Sequence, residues 1–215
     1  MMTNGFADQE SSDTMGTRVT APQPSDASLL ADQASPIAAF TERAAALGVA
    51  VTWAVDSNAV ATEVATVAMK LDIRAPLVSA ELAEAAPALC AALNARGVPP
   101  RPPGGPDDTN DAPLGLSLAH LAVAETASVL LAEETLADRS IGLLVAEQIV
   151  VCPTRALVPT LDAAAPVLRA FATRPGGAYA TLVTGPSRTA DIERTLTVGV
   201  QGPAKLSILF VDDLS

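Results

Sequence analysis

The side chains with most chemistry to offer stand close together in Thr184-Gly185-Pro186-Ser187-Arg188-Thr189-Ala190-Asp191-Ile192-Glu193. Three hydroxyls, a guanidinium and two carboxylates fall within ten residues. The preceding run, Ala178 to Val183, is β-type, and Asp191 to Val198 can continue as a helix. The spacing therefore predicts a strand-to-helix junction with Ser187 at the helix N-cap. The unpaired N–H groups of a first helical turn and the helix dipole favour an anion. On this reading Ser187 and Thr189 present hydroxyls to the anion, and Gly185 to Thr189 present backbone N–H groups. Gly185 lets the backbone approach because it has no Cβ, and Pro186 fixes the entry to the turn. Arg188 points either to the ligand or outward as a solvated residue. Asp191 and Glu193 would repel an anion, so they orient Arg188 or Arg194, or meet a partner chain. The simpler alternative is a capped helix start with no ligand.

A second polar break, Glu125-Thr126-Ala127, separates two apolar runs, Leu121 to Ala124 and Ser128 to Leu131. Polar groups between buried strands need partners or must face a cleft. A tight turn with a capping carboxylate is the alternative. Arg155, just after a strand end, is either an anion contact or a solvated loop residue.

Other chemistries are excluded by what is scarce. The 215 residues contain two cysteines, Cys90 and Cys152, and one histidine, His120. With no C-x-x-C, an iron–sulfur or zinc site of the usual spacing is ruled out, and no resident cofactor or metal is expected. Each cysteine reads as a small buried apolar residue. The net charge of -11 disfavours nucleic acid and anionic membrane surfaces as partners. No apolar run reaches the ~20 residues of a membrane span. The acidic N-terminus lacks the apolar segment of a signal peptide, so a cytoplasmic location is expected.

The positioning elements follow from periodicity. Residues 1–33 are rich in Ser, Asp, Thr, Pro and Gln and read as a disordered tail, with one domain over 34–215. Ser35-Pro36 opens a helix with Ile37, Phe40, Ala44 and Leu47 on one face, and Gly48 stops it. Val49 to Val55 reads as a buried strand. Asp56 or Ser57 caps a helix carrying Val60, Val64, Val67 and Leu71. Pro76 to Val78 is a short strand, and Glu81 to Arg96 a helix stopped by Gly97. Residues 99–113 read as a loop. Ile141 to Val145 and Ile149 to Cys152 read as strands, Pro159 to Phe171 as a helix, and Lys205 to Val211 as the last strand, ending in surface Asp212-Asp213. The alternation is that of an α/β fold.

The run Thr184 to Glu193, followed by Gly199-Val200-Gln201-Gly202-Pro203, resembles the signature of the LUD domain, the lactate-utilisation protein C family. The stretch from Leu114 to Leu131 is similar in frame, with Glu125 and Thr126 matching the family's acid and threonine. Four departures stand out: Ala127 replaces a glycine, Ser117-Leu118 replaces Thr-Gly, and Gln148 and Gln201 stand where the family has histidines. Gln exchanges no proton near neutral pH, which removes a conventional acid–base role for those positions. The resemblance implies a mostly parallel sheet with helices on both faces, NagB/RpiA/CoA-transferase-like. In such sheets ligands bind outside the carboxyl ends of the strands, so Thr184–Thr189 and Glu125–Thr126 are expected to converge there. The implied function is a cofactor-free subunit of a system oxidising L-lactate to pyruvate, with iron–sulfur subunits as partners. The alternative is an independent protein or enzyme of this fold, acting on a phosphate or carboxylate ligand.

Overall fold

The computed structural model describes residues 35–110, 112–175, 178–189, 197–198 and 202–215. The tail over 1–33 lies outside them. Helix α1 (Pro36–Ala46) starts with Pro36 in its first turn and buries Phe40 and Ala44. Gly48, at φ 75°, turns the chain into strand β1 (Ala50–Ala54). Asp56 caps helix α2 (Ser57–Lys70), its carboxylate accepting from the Ala59 N–H at 2.8 Å. After β2 (Leu77–Val78), the single expected helix is in fact two, α3 (Ala80–Ala85) and α4 (Pro87–Ala95). Pro87 lacks an N–H and pushes the residue before it out of the helical region, so Ala86 sits at φ -134° and ψ 62°. The expected loop holds a single turn of helix, α5 (Pro106–Thr109).

The second half supplies β3 (Leu114–Leu118), β4 (Leu121–Val123), β5 (Ser128–Leu131), helix α6 (Leu136–Leu144), β6 (Glu147–Pro153), β7 (Leu157–Val158), helix α7 (Leu161–Ala172), β8 (Thr181–Val183), β9 (Arg188–Thr189), β10 (Thr197–Val198) and β11 (Lys205–Val211). Two expectations are corrected here. Ile141 to Val145 is not a strand: all but Val145 lie in α6, which Thr135 caps by accepting from the Asp138 N–H at 3.0 Å. A short apolar run fits either state, and Ile141 and Val145, four residues apart, both face Gly115 of β3. Nor does a helix run through to Val198. Residues 190–196 lie outside the described residues, and Thr197–Val198 pair antiparallel with Arg188–Thr189. Ser187 therefore precedes a strand and is not a helix N-cap. The β-branched Thr189, Thr197 and Val198 suit the pleated state.

Five parallel strands form the central sheet in the order β1-β11-β6-β3-β2. Side chains alternate between its faces. Ile149, Val151, Leu209, Val211 and the even-numbered residues of β3 pack against α2, α3 and α4. On the opposite face Val150, Cys152, Ile208 and Phe210 meet α1 and a second sheet. Phe210 anchors this side, edge-on to Phe40 at 5.1 Å and stacked on Trp53 at 4.8 Å. Gly115 and Ser117 point to this side too, under α6. Helices thus lie on both faces, although one face is shared with strands. The second sheet has four strands in the order β7-β4-β5-β8, and α7 covers its outer side through Ala164 and Phe171. No helix among the described residues is long and apolar enough to cross a membrane.

Candidate functional site

The two halves of the Ser187 motif close on each other. The Ser187 N–H donates to the Pro203 carbonyl at 3.0 Å. Gly202, at φ 114°, lies so close that a Cβ there would sit 3.3 Å from that of Ser187. Between this clasp and the central sheet is a cavity of about 210 Å³, bounded by Gly185, Pro186, Ser187, Gly142, Gln148 and Leu206, among others. Gln148 and Leu206 are the second residues of β6 and β11. The motif therefore lies beside the amino ends of the parallel strands, not outside their carboxyl ends. The cause is topological: the segment follows β8, which belongs to the second sheet, and descends across the face of the first.

Individual side chains divide as follows. The Arg188 guanidinium donates to the Leu47 carbonyl at the end of α1, tying β9 to the first helix. Gly185 adopts φ 85° and packs over Leu47 as well. Thr184 and Thr126 are brought together through Ser128, away from the carboxyl ends of the parallel strands. The Ser128 hydroxyl donates to Thr126 Oγ1 at 2.8 Å and stands 2.5 Å from Thr184 Oγ1. Glu125 turns away from this cluster, and its Oε2 accepts from the Leu161 N–H at 2.9 Å, at the start of α7. Here the reading of a turn with a capping carboxylate holds. Ala127 takes φ 52°, a left-handed conformation at the position where the resemblance has glycine. Only the backbone of Thr189 is described, and Asp191, Glu193 and Gln201 lie outside the described residues.

A buried polar chain, not anticipated as a site, starts at the cavity wall. Gln148 Nε2 donates to Ser117 Oγ at 3.1 Å, and Ser117 donates to Glu133 Oε1 at 2.8 Å. All three are buried, Glu133 with 7% exposure. Burial pushes the Glu133 carboxyl up to about 7. The Ser117 bond opposes that rise, the Asp138 and Glu81 carboxylates add to it, and Arg139 opposes it. Glu133 lines a second cavity, of about 280 Å³, together with Glu81, Thr135 and Asp138. Asp138 accepts from the Ala80 N–H at 2.9 Å and from Thr135 Oγ1 at 2.7 Å. His120 pairs with the Glu81 carboxylate at 2.9 Å. The chain thus joins the two cavities beneath α6. Its chemistry is asymmetric: Glu133 exchanges a proton near neutrality, whereas Ser117 and Gln148 only relay hydrogen-bond direction. Gln148 and Ser117 stood out in the sequence as departures, but Glu133 left no local signal. Among the described residues no group of three or more His, Cys, Asp or Glu could hold a metal ion.

Known proteins resemble this chain. Residues 106–211 match the LUD domain. Lactate utilization protein C of Bacillus velezensis is 34% identical over 111 residues, 50% of this chain and 45% of that protein. The protein of the same name from Macrococcus caseolyticus is 36% identical over 102 residues, 46% of this chain and 44% of that protein. The Bacillus subtilis protein is 32% identical over 102 residues, 46% of this chain and 42% of its own length. The matched stretch therefore spans less than half of each of these relatives. A crystal structure of a DUF162 family protein from Deinococcus radiodurans superposes with a TM-score of 0.56 at 20% identity, covering 83% of this chain and 99% of that one. That likeness establishes the fold.

Proposed function

From a chain that belongs to the LUD domain family through residues 106–211, we propose a part in lactate utilisation, as a cofactor-free subunit that binds a small carboxylate while iron–sulfur partner subunits carry the electrons. The observation that carries this reading is the identity of 32 to 36% to proteins named lactate utilization protein C. The LUD domain match over residues 106–211 includes β3, β6 and the Ser187 motif. The geometry supports it further. A cavity of about 210 Å³ suits a three-carbon hydroxy acid or oxo acid better than a nucleotide. Its wall includes Ser187 and Gln148, neutral polar residues that would not react with a carboxylate. Arg188, engaged with Leu47, contributes by holding the motif in place.

The test is affinity purification of the full chain from its native cells without oxygen. Recovery of iron–sulfur subunits, with lactate-dependent reduction of their clusters, is the expected result. Recovery of the chain without such subunits but with a tightly held phosphorylated ligand would replace this reading by that of an independent sugar-phosphate or coenzyme A protein of the same fold.

A further inference from the structure

We infer that carboxylate binding in the cavity beside Ser187 is coupled to the uptake of one proton at Glu133, through reversal of the hydrogen-bond chain Gln148–Ser117–Glu133. The inference rests on the proposed reading that this cavity holds a small carboxylate.

The direction of the chain is set by its inner end. With Glu133 ionised, its carboxylate only accepts, so Ser117 must donate to it at 2.8 Å. The Ser117 oxygen is then the acceptor for Gln148, which turns its Nε2 inward at 3.1 Å. Gln148 lines the cavity, so with one N–H held by Ser117 the amide is left with one N–H and its carbonyl oxygen for a ligand, and the oxygen repels a carboxylate. With Glu133 protonated, its O–H donates to Ser117 Oγ. Ser117 then donates to Gln148, and the amide satisfies it by turning its oxygen inward. The Nε2 group, with two N–H bonds, now faces the cavity and donates to a carboxylate. The proton comes from solvent by way of the second cavity, which Glu133 lines with Glu81, Thr135 and Asp138. A histidine in place of Gln148 could itself take up the proton, whereas an amide can only transmit the state of Glu133.

Several charged groups face Glu133. Asp138 from α6 and Glu81 from α3 favour its protonated form, and Arg139 of α6 opposes them. Glu84 and Glu134 border the same cavity, and His120 reaches it through its pair with Glu81. Burial and these carboxylates hold Glu133 at about 7, so the switch operates in the neutral range. If binding requires the protonated form, affinity falls tenfold per pH unit above that value and levels off below it. Between pH 6 and pH 8.5 the expected weakening is about 30-fold.

The experiment uses the full chain and L-lactate. Side-chain amide resonances of Gln148 are followed by NMR from pH 5.5 to 8.5 without ligand, and L-lactate affinity and proton uptake are measured by calorimetry in buffers of different ionisation enthalpy. The expected result is a Gln148 titration centred near neutrality, uptake of about one proton per lactate at pH 8, and the fall in affinity given above. Glu133→Gln, which keeps the other carboxylates and His120, abolishes the titration and the proton uptake. Ser117→Ala does the same by breaking the chain and stands in if Glu133→Gln fails to fold. Gln148 resonances that do not change with pH overturn the coupling even if lactate binds. A Gln148 titration with no lactate bound at any pH refutes the carboxylate reading of the cavity, and the coupling with it, while the amide reversal stands.

Discussion

Glu133→Gln should change how stability depends on pH. In the unfolded chain this carboxyl titrates at the ordinary value of 4.5, and in the folded protein at about 7. Between these values the folded state binds more protons than the unfolded state, so stability falls as pH rises. The contribution is fully present below 4.5 and is lost as pH passes through 7. The whole span of about 2.5 pH units is worth about 3.4 kcal/mol at 1.36 kcal/mol per unit, and the part between pH 5 and pH 8 about 2.5 kcal/mol. Glutamine keeps the shape and can accept the bond from Ser117, but carries no charge to desolvate. Urea unfolding of both proteins at pH 5 and pH 8 measures the effect. The wild type should lose about 2.5 kcal/mol more than the variant over that interval, and at pH 8 the variant should be the more stable of the two. Parallel pH profiles would refute a buried, neutral-range carboxyl at Glu133.

Three further substitutions test the packing that frames the site. Gly115→Ala places a Cβ 2.5 Å from Ile141 Cγ2 and 3.0 Å from Val145 Cγ1, so α6 must shift off β3, at a cost of about 1–3 kcal/mol in thermal or urea unfolding. Phe210→Ala leaves Phe40 and Trp53 facing a void and should cost about 3–5 kcal/mol. Asp56→Ala removes the cap of α2 and should cost about 1 kcal/mol, measured in the same way.

What could be read from the sequence was local. Lys205–Val211 is a run of mostly apolar residues buried in a parallel sheet, and its ends were predicted to the residue. Gly48, past the end of α1, signalled its stop because only a left-handed residue reverses the chain there. Thr126 and Thr184 meet through Ser128 beside the antiparallel strands β4, β5 and β8, not at the carboxyl ends of a parallel sheet. The parts that were misread depend on distant partners. Ile141 is helical because α6 fits over Gly115, 26 positions earlier in the chain. Glu133 resembles any other acid in Glu133-Glu134 until Ser117, 16 residues away, and the carboxylates of α3 and α6 surround it. Ser187 looked like a helix cap because the strand that pairs with β9, Thr197–Val198, comes later in the chain.

Growth of the native host on L-lactate, with the gene for this chain deleted, tests the proposed role most directly. Deletion should abolish growth on L-lactate as sole carbon source and leave growth on pyruvate intact, and the wild-type gene should restore it. Growth of the deletion strain on L-lactate at the wild-type rate, with no other copy of the gene present, would contradict a part in lactate utilisation.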